Sequence, residues 1–229
     1  MYKNIKVIAL DADDTLWVNE PYFREIEHQF AELLSPYETE NKINQELYKK
    51  EIDNLELYGY GIKGFVLSMV EAALEISNNR ISSKEIQTII GFGKEMLNKP
   101  IELLDGVEEV LKKLSPNYKL ILATKGDLLD QERKLKKSGL HKYFDHIEVL
   151  SDKQKSNYQY LIDFLEVSPS KFLMIGNSLK SDVLPLVELN SNAIHVPYHT
   201  TWIHEEVTQQ NDENSYRTIQ SLSEVLAFL

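Results

Sequence analysis

The chain of 229 residues contains no cysteine, which excludes disulfides, cysteine-ligated zinc, iron–sulfur clusters and thiol nucleophiles. Long apolar runs are also missing. The longest, such as VIAL at 7–10 and FLMI at 172–175, are strand-sized and far short of the roughly 20 residues that a membrane helix needs. The opening stretch MYKNIKVIALD shows neither an apolar signal core nor a small-residue cleavage site, so no secretion signal is expected and cytoplasm is the simplest compartment. Positive charge is scarce: 25 Lys and Arg stand against 36 Asp and Glu, a net charge of −11. That balance opposes binding to a nucleic acid polymer through the general surface. A small anionic ligand would need a local cluster of cations.

What is present suffices for a globular fold. Apolar residues make up 42% of the chain, enough for a core in one large domain or two small ones. Charged residues are spread along a sequence of mean hydropathy −0.34, which argues against disorder. Five short apolar runs read as buried parallel strands: Ile5 to Leu10, Tyr118 to Ala123, His146 to Leu150, Lys171 to Ile175 and Ala193 to Val196. Helical patterns lie between most of them, such as Gly106 to Leu114 and Tyr158 to Leu165. The alternation predicts an α/β fold, a doubly wound, mostly parallel Rossmann-like sheet.

The first interval breaks that rhythm, because about a hundred residues separate the first strand from the second, too many for one crossover helix. Helical patterns fill it, at Pro21 to Leu34, Glu40 to Leu57, Ile62 to Ile76 and Ser82 to Asn98, the last opening on a capping box of Ser82 and Glu85. An inserted α-helical subdomain is expected at 17–95, with the core formed by 1–16 and 96–229. The polar stretch Thr208 to Ser215 is expected to be a mobile surface loop.

The first strand runs into LDADDTLW, placing Asp11, Asp13 and Asp14 at the carboxyl edge of an apolar strand, where open α/β sheets bind ligands. Clustered carboxylates repel one another unless a cation neutralises them or one holds a proton, so the cluster suggests a hard metal such as Mg²⁺. Asp-rich turns also cap helices, and the cluster by itself leaves that alternative open.

The whole constellation resembles the haloacid dehalogenase-like hydrolase superfamily. Its first motif, D-x-D-x-T, is matched by Asp11, Asp13 and Thr15. The second resembles Thr124 in LILATKG. The third, a lysine before a helix, resembles Lys153 in SDKQKSNY, with Lys155 in reserve, and the fourth resembles GNSLKSD from Gly176 to Asp182. All four stand in order at predicted strand ends, and the resemblance covers nearly the full chain. It implies Asp11 as a nucleophile forming an aspartyl-phosphate and Asp13 as general acid and base. Thr124, with the backbone at Lys125 and Gly126, would hold a phosphoryl group, and Lys153, aided by Lys125, would supply positive charge. Mg²⁺ would be held by Asp11, Asp13, Asn177 and Asp182.

Two features of this sequence bear on that implication. Asn177 stands where most relatives have Asp, which should loosen the metal and leaves room for a non-catalytic binding protein. Asp13 favours phosphoryl chemistry over dehalogenation, since a departing halide needs no proton and an alkoxide does. The insert resembles a helical cap, with Trp17 and Glu20 at its hinge or pocket mouth, and Tyr60 and Lys63 of YGYGIKGF available to a ligand.

The expected activity is hydrolysis of a small phosphorylated metabolite, a sugar phosphate or nucleotide monophosphate, by a monomer or homodimer; a phosphomutase is the enzymatic alternative. His195, His199 and His204 fit no closed zinc spacing, so their loop is expected to pack beside the catalytic edge, with Tyr198 and Trp202 as core or pocket wall.

Overall fold

The computed structural model describes Tyr2, residues 4–207 and residues 215–229. The expected loop at 208–215 therefore lies, except for Ser215, outside the described residues. Clustering of the backbone divides the chain into two compact units, one of Met1–Glu20, Ile101–Lys125 and Gln131–Leu229, the other of Pro21–Pro100 and Gly126–Asp130.

The first unit is built on a six-stranded parallel sheet: β1 (Val7–Leu10), β2 (Lys119–Lys125), β3 (His146–Leu150), β4 (Phe172–Gly176), β5 (Asn192–His195) and β6 (Arg217–Thr218), in the order β3-β2-β1-β4-β5-β6. The α/β reading of the sequence is met, with β6 as an addition. Strand β1 pairs with β2 on one side (Val7 with Lys119) and with β4 on the other (Val7 with Phe172). Its side chains alternate between two cores. Ile8 and Leu10 join Leu120, Leu122, Leu173 and Ile175 on one face, while Val7 and Ala9 join Ile121, Ala123, Phe172 and Met174 on the other. Burial on both faces explains why these strands are continuous apolar runs without alternation.

Helices α5 (Val107–Leu114), α6 (Leu128–Ser138), α7 (Lys155–Phe164) and the single turn α8 (Leu184–Val187) connect the strands. In α5, Val107, Val110, Leu111 and Leu114 make an i, i+3, i+4, i+7 stripe on the first core, with Glu108 and Glu109 in the first turn and Lys112 and Lys113 in the last, as the helix dipole favours.

The second unit contains α1 (Glu20–Leu34), α2 (Glu40–Tyr58), α3 (Ile62–Ile76) and α4 (Ser83–Asn98), apart from Glu20. Its core is its own: Ile26, Phe30 and Leu34 of α1 pack with Ile43 and Leu47 of α2, Phe65 and Met69 of α3, and Ile89 of α4. Ser82 and Glu85 form the reciprocal capping box at the start of α4. Among the described residues, no helix is long and apolar enough to cross a membrane.

Candidate active site

Strand order reverses between β1 and β4, and a crevice at such a switch point is where open α/β sheets bind ligands. Asp11 is the first residue beyond β1 there, its N–H donating to the Ile175 carbonyl of β4. The chain then turns sharply. Asp14 adopts φ 59°, a left-handed conformation that Asp tolerates, and its carboxylate accepts from the N–H groups of Asn19 and Glu20 at 2.8 and 2.9 Å. Asp14 thus shapes the turn, and burial pushes its carboxyl up to about 7.

Asp11 is almost fully buried. One oxygen faces the ammonium of Lys153, and the other accepts from the Thr15 hydroxyl at 3.2 Å. Burial raises the Asp11 carboxyl, the neighbouring Lys153 pulls it down and Asp182 pushes it up again, for a net rise. For Lys153, burial alone would lower the ammonium, but Asp11 and Asp182 outweigh it and hold it above the ordinary lysine value. Lys155, by contrast, is exposed at the start of α7.

Asp182, expected among the metal ligands, holds Lys153 and its own loop in this structure. Its Oδ1 accepts from Lys153 Nζ at 2.6 Å and from the Tyr158 hydroxyl at 3.4 Å, and its Oδ2 accepts from the Ser178 N–H at 3.0 Å. Both oxygens thus take part in holding Lys153 and the loop. The loop, a π-helical turn at Leu179–Val183 capped by Ser178, brings Asp182 so close to β4 that a Cβ at Gly176 would lie 2.2 Å from Asp182 Oδ2. Only glycine fits there without displacement.

The oxygens free for a hard cation lie on the other side of Asp11. The outer atom of the Asn177 carboxamide stands 3.2 Å from Asp11 Oδ2, the Asp13 carbonyl oxygen and Thr15 Oγ1. With its nitrogen inward the two N–H groups of the amide have these three oxygens within reach; with its oxygen inward it completes a converging set of carboxylate, carbonyl and carboxamide oxygens. Such a set suits Mg²⁺. The Asn177 backbone is fixed by its N–H to Thr15 Oγ1 at 3.1 Å and by His195 Nε2–H, which donates to its carbonyl at 3.0 Å.

Trp17, expected at the hinge or the pocket mouth, is fully buried. Residues 16–18 pair with residues 102–104 through Val18 N–H to Glu102 O at 2.9 Å and Leu104 N–H to Leu16 O at 3.0 Å, which turns the indole inward. Its Nε1–H donates to Asp13 Oδ1 at 2.7 Å.

Asp13 also receives two donors that sequence reading missed, Lys134 Nζ on Oδ1 and Gln131 Nε2 on Oδ2, both at 2.8 Å. They stand at i and i+3 on α6, a spacing that any helix face shows, so nothing local in the sequence singled them out.

Thr124, the last residue but one of β2, is almost wholly buried, its hydroxyl donating to the Lys125 carbonyl at 3.2 Å. The Lys125 ammonium, expected to add positive charge beside Lys153, is paired with Glu205 Oε1 at 2.6 Å and donates to Ser181 Oγ at 2.9 Å. Glu205 accepts further from the hydroxyls of Ser178 and Ser181, each at 2.5 Å. Although burial opposes its charge, Lys125 and these hydroxyls hold Glu205 down at about 2.

The three histidines of the same loop have separate partners: His195 has Asn177, His199 has Thr200, and His204 lies by Lys180. Tyr198 and Trp202 beside them are half-buried. In the helical unit, Lys63 is exposed and pairs with Asp127 at 2.8 Å, Tyr60 is half-buried, and Gly126, at φ 132°, lies against Gly61.

The family profile for "haloacid dehalogenase-like hydrolase" matches residues 5–190. A solved haloacid dehalogenase-like family hydrolase from Xanthomonas campestris is 36% identical, with a TM-score of 0.87 over 98% of this chain and 90% of that one. The fold also resembles the HAD-hydrolase YfnB from Bacillus subtilis bound to magnesium, at a TM-score of 0.68 and 18% identity over 99% of both chains. N-acylneuraminate-9-phosphatase of Mus musculus is 32% identical over 87 residues, and its Homo sapiens counterpart 28% over 86. These matches take in 35% of this chain and 35% of each relative, so the chain spans about a third of the length of the curated relatives it matches. With the family profile spanning most of the sequence and a close full-length structural relative, the chain is an enzyme of the haloacid dehalogenase-like hydrolase family.

Proposed function

We propose that the enzyme is a Mg²⁺-dependent phosphatase that hydrolyses a small phosphomonoester, of the sugar phosphate or nucleotide monophosphate class, through an aspartyl-phosphate on Asp11. The observation that carries this reading is the placement of Asp11, with one oxygen on Lys153 and the other on the Thr15 side, next to the Asp13 carbonyl oxygen and the Asn177 carboxamide. A buried carboxylate held by a buried ammonium is pre-aimed and desolvated, as a nucleophile requires. The phosphatase names of the two curated relatives support the same chemistry.

In the first displacement an Asp11 oxygen bonds to phosphorus while the ester P–O bond breaks, and Asp13 gives its proton to the departing oxygen. In the second, Asp13 takes a proton from water as the water oxygen bonds to phosphorus and the Asp11–P bond breaks. Lys153 and the Thr124 hydroxyl face the phosphoryl oxygens and stabilise charge there. Mg²⁺, when bound by Asp11, the Asp13 carbonyl and Asn177, supplies charge neutralisation and orientation. Four carboxyl groups, those of Asp11, Asp13, Asp182 and Glu205, face three ammonium groups, those of Lys125, Lys134 and Lys153, and a bound divalent cation would add the positive charge that favours an incoming phosphate.

The test is phosphate release from a panel of small phosphomonoesters, with Mg²⁺ or with chelator, for wild type and Asp11→Asn. Release should require the metal and fall on the order of 10³-fold or more in the variant, with its fold intact by circular dichroism. A variant that retains the wild-type rate overturns the assignment of the nucleophile.

A further inference from the structure

We propose that Lys134 is a positioning residue for the proton transfers of Asp13, an inference that rests on the phosphatase reading above. Asp13 sits in a turn just beyond β1, and its side chain has two free torsions. A group that must meet both a leaving oxygen and, later, a water needs a defined orientation, since misplacement by about 1 Å can cost on the order of 10²-fold in rate. The turn does not supply that orientation, but three side-chain donors do. Trp17 Nε1 and Lys134 Nζ fix Oδ1 at 2.7 and 2.8 Å, and Gln131 Nε2 approaches Oδ2 at 2.8 Å.

Each donor is itself anchored. Trp17 is fully buried. Gln131 is 3% exposed, and its Nε2 also donates to the Lys125 carbonyl at 2.9 Å, tying Asp13 to the end of β2. Lys134, 12% exposed at its side chain, also donates to Asn19 Oδ1 at 2.8 Å, so its ammonium spans the two ends of the turn that carries Asp13.

The division of donors between the two oxygens is informative. Oδ1 takes an indole N–H and a cation, and Oδ2 takes one neutral donor, so both ends of the carboxyl group are oriented. In the first displacement a proton moves from Asp13 to the ester oxygen as the P–O bond breaks and the Asp11–P bond forms. In the second, water returns a proton to Asp13 as its oxygen joins phosphorus and the Asp11–P bond is released.

A partly exposed Lys–Asp pair contributes little to stability, typically about 0–1 kcal/mol, so stability alone is a weak reason for this arrangement. Its position on the acid of the catalytic edge gives a better one.

The experiment compares wild type, Lys134→Met, Lys134→Gln, Lys134→Arg, Asp13→Ala and Asp13→Ala/Lys134→Met on two esters. One is p-nitrophenyl phosphate, whose leaving group needs little proton assistance; the other is an alkyl phosphate, whose leaving group needs a full proton. If Lys134 acts through Asp13, kcat for the alkyl ester should fall at least about tenfold more than for the aryl ester in the Met and Gln variants, out of the roughly 10²- to 10⁴-fold that general acid catalysis supplies. KM should stay within about twofold, Lys134→Arg should recover most of the rate, and Lys134→Met should add no further loss in the Asp13→Ala background. Equal losses on both esters, or losses that multiply in the double variant, overturn the role of Lys134 while leaving the phosphatase reading in place. Wild type that releases phosphate from neither ester refutes that reading and this inference with it.

Discussion

Replacing Glu205 by Gln removes one negative charge from a tightly shared site and should destabilise the α/β unit measurably. The carboxylate accepts from Lys125, Ser178 and Ser181 at 2.5–2.6 Å and is only 13% exposed at its side chain. Lowering its pKa from the ordinary 4.5 to about 2 corresponds to about 3 kcal/mol of folding stability at neutral pH. Gln keeps one acceptor oxygen but leaves Lys125 without its counter-charge, so a loss of about 2–3 kcal/mol is expected. With a urea m-value of about 2–3 kcal/mol/M, the midpoint should fall by about 1 M. Trp17 and Trp202 both belong to the α/β unit, so tryptophan fluorescence follows the unit that contains the substitution. Because the folded pKa is depressed, the contribution is full above about pH 4.5 and fades as pH falls toward 2. The gap between wild type and variant should shrink to less than half by about pH 3. Equal midpoints at pH 7, or a gap unchanged between pH 7 and pH 3, would refute the assignment of Glu205 as a buried, ionised tie.

Asn177→Asp places a further carboxylate 3.2 Å from Asp11 Oδ2. Without metal the variant should melt lower than wild type, and titration calorimetry should show Mg²⁺ binding tighter on the order of tenfold; unchanged affinity would remove Asn177 from the ligand set. Gly176→Ala puts a Cβ 2.2 Å from Asp182 Oδ2, and since Lys153 pins that carboxylate, the change should cost about 1–3 kcal/mol in denaturant and lower kcat more than it raises KM. A wild-type midpoint with full activity would show that the loop relaxes freely.

The fold was legible where burial on both faces made strands into unbroken apolar runs, as at β1, β2 and β4, and where a cap announced a helix, as Ser82 and Glu85 do for α4. Strand β6 was not, because its two residues, Arg217 and Thr218, are both exposed and carry no pattern. The motif residues Asp11, Thr124 and Lys153 were legible through the family resemblance, which set them at or just beyond the predicted strand ends. Which way a side chain turns was not. Trp17 faces inward because residues 16–18 are paired with residues 102–104, and Asp182 faces Lys153 because the π-turn aims it there. Glu205 reaches Lys125 from 80 residues away, and Lys134 reaches Asp13 from 121; contacts at such separations leave no trace in local composition.

The pairing of residues 16–18 with residues 102–104 also bears on how the chain tolerates its own insert. Parallel strands β1 and β2, whose partners Val7 and Lys119 lie far apart in sequence, would ordinarily depend on everything between them to come together. Here the departing and returning segments are hydrogen-bonded to each other at the point of exit, so the sheet closes its own ring before the helices begin. Closure entropy grows only slowly with loop length, by about 0.6 kcal/mol per doubling. The insert that passes through such a neck can be lengthened at small cost to the sheet, which makes this junction the natural place to add residues while the edge beyond β1 stays unchanged.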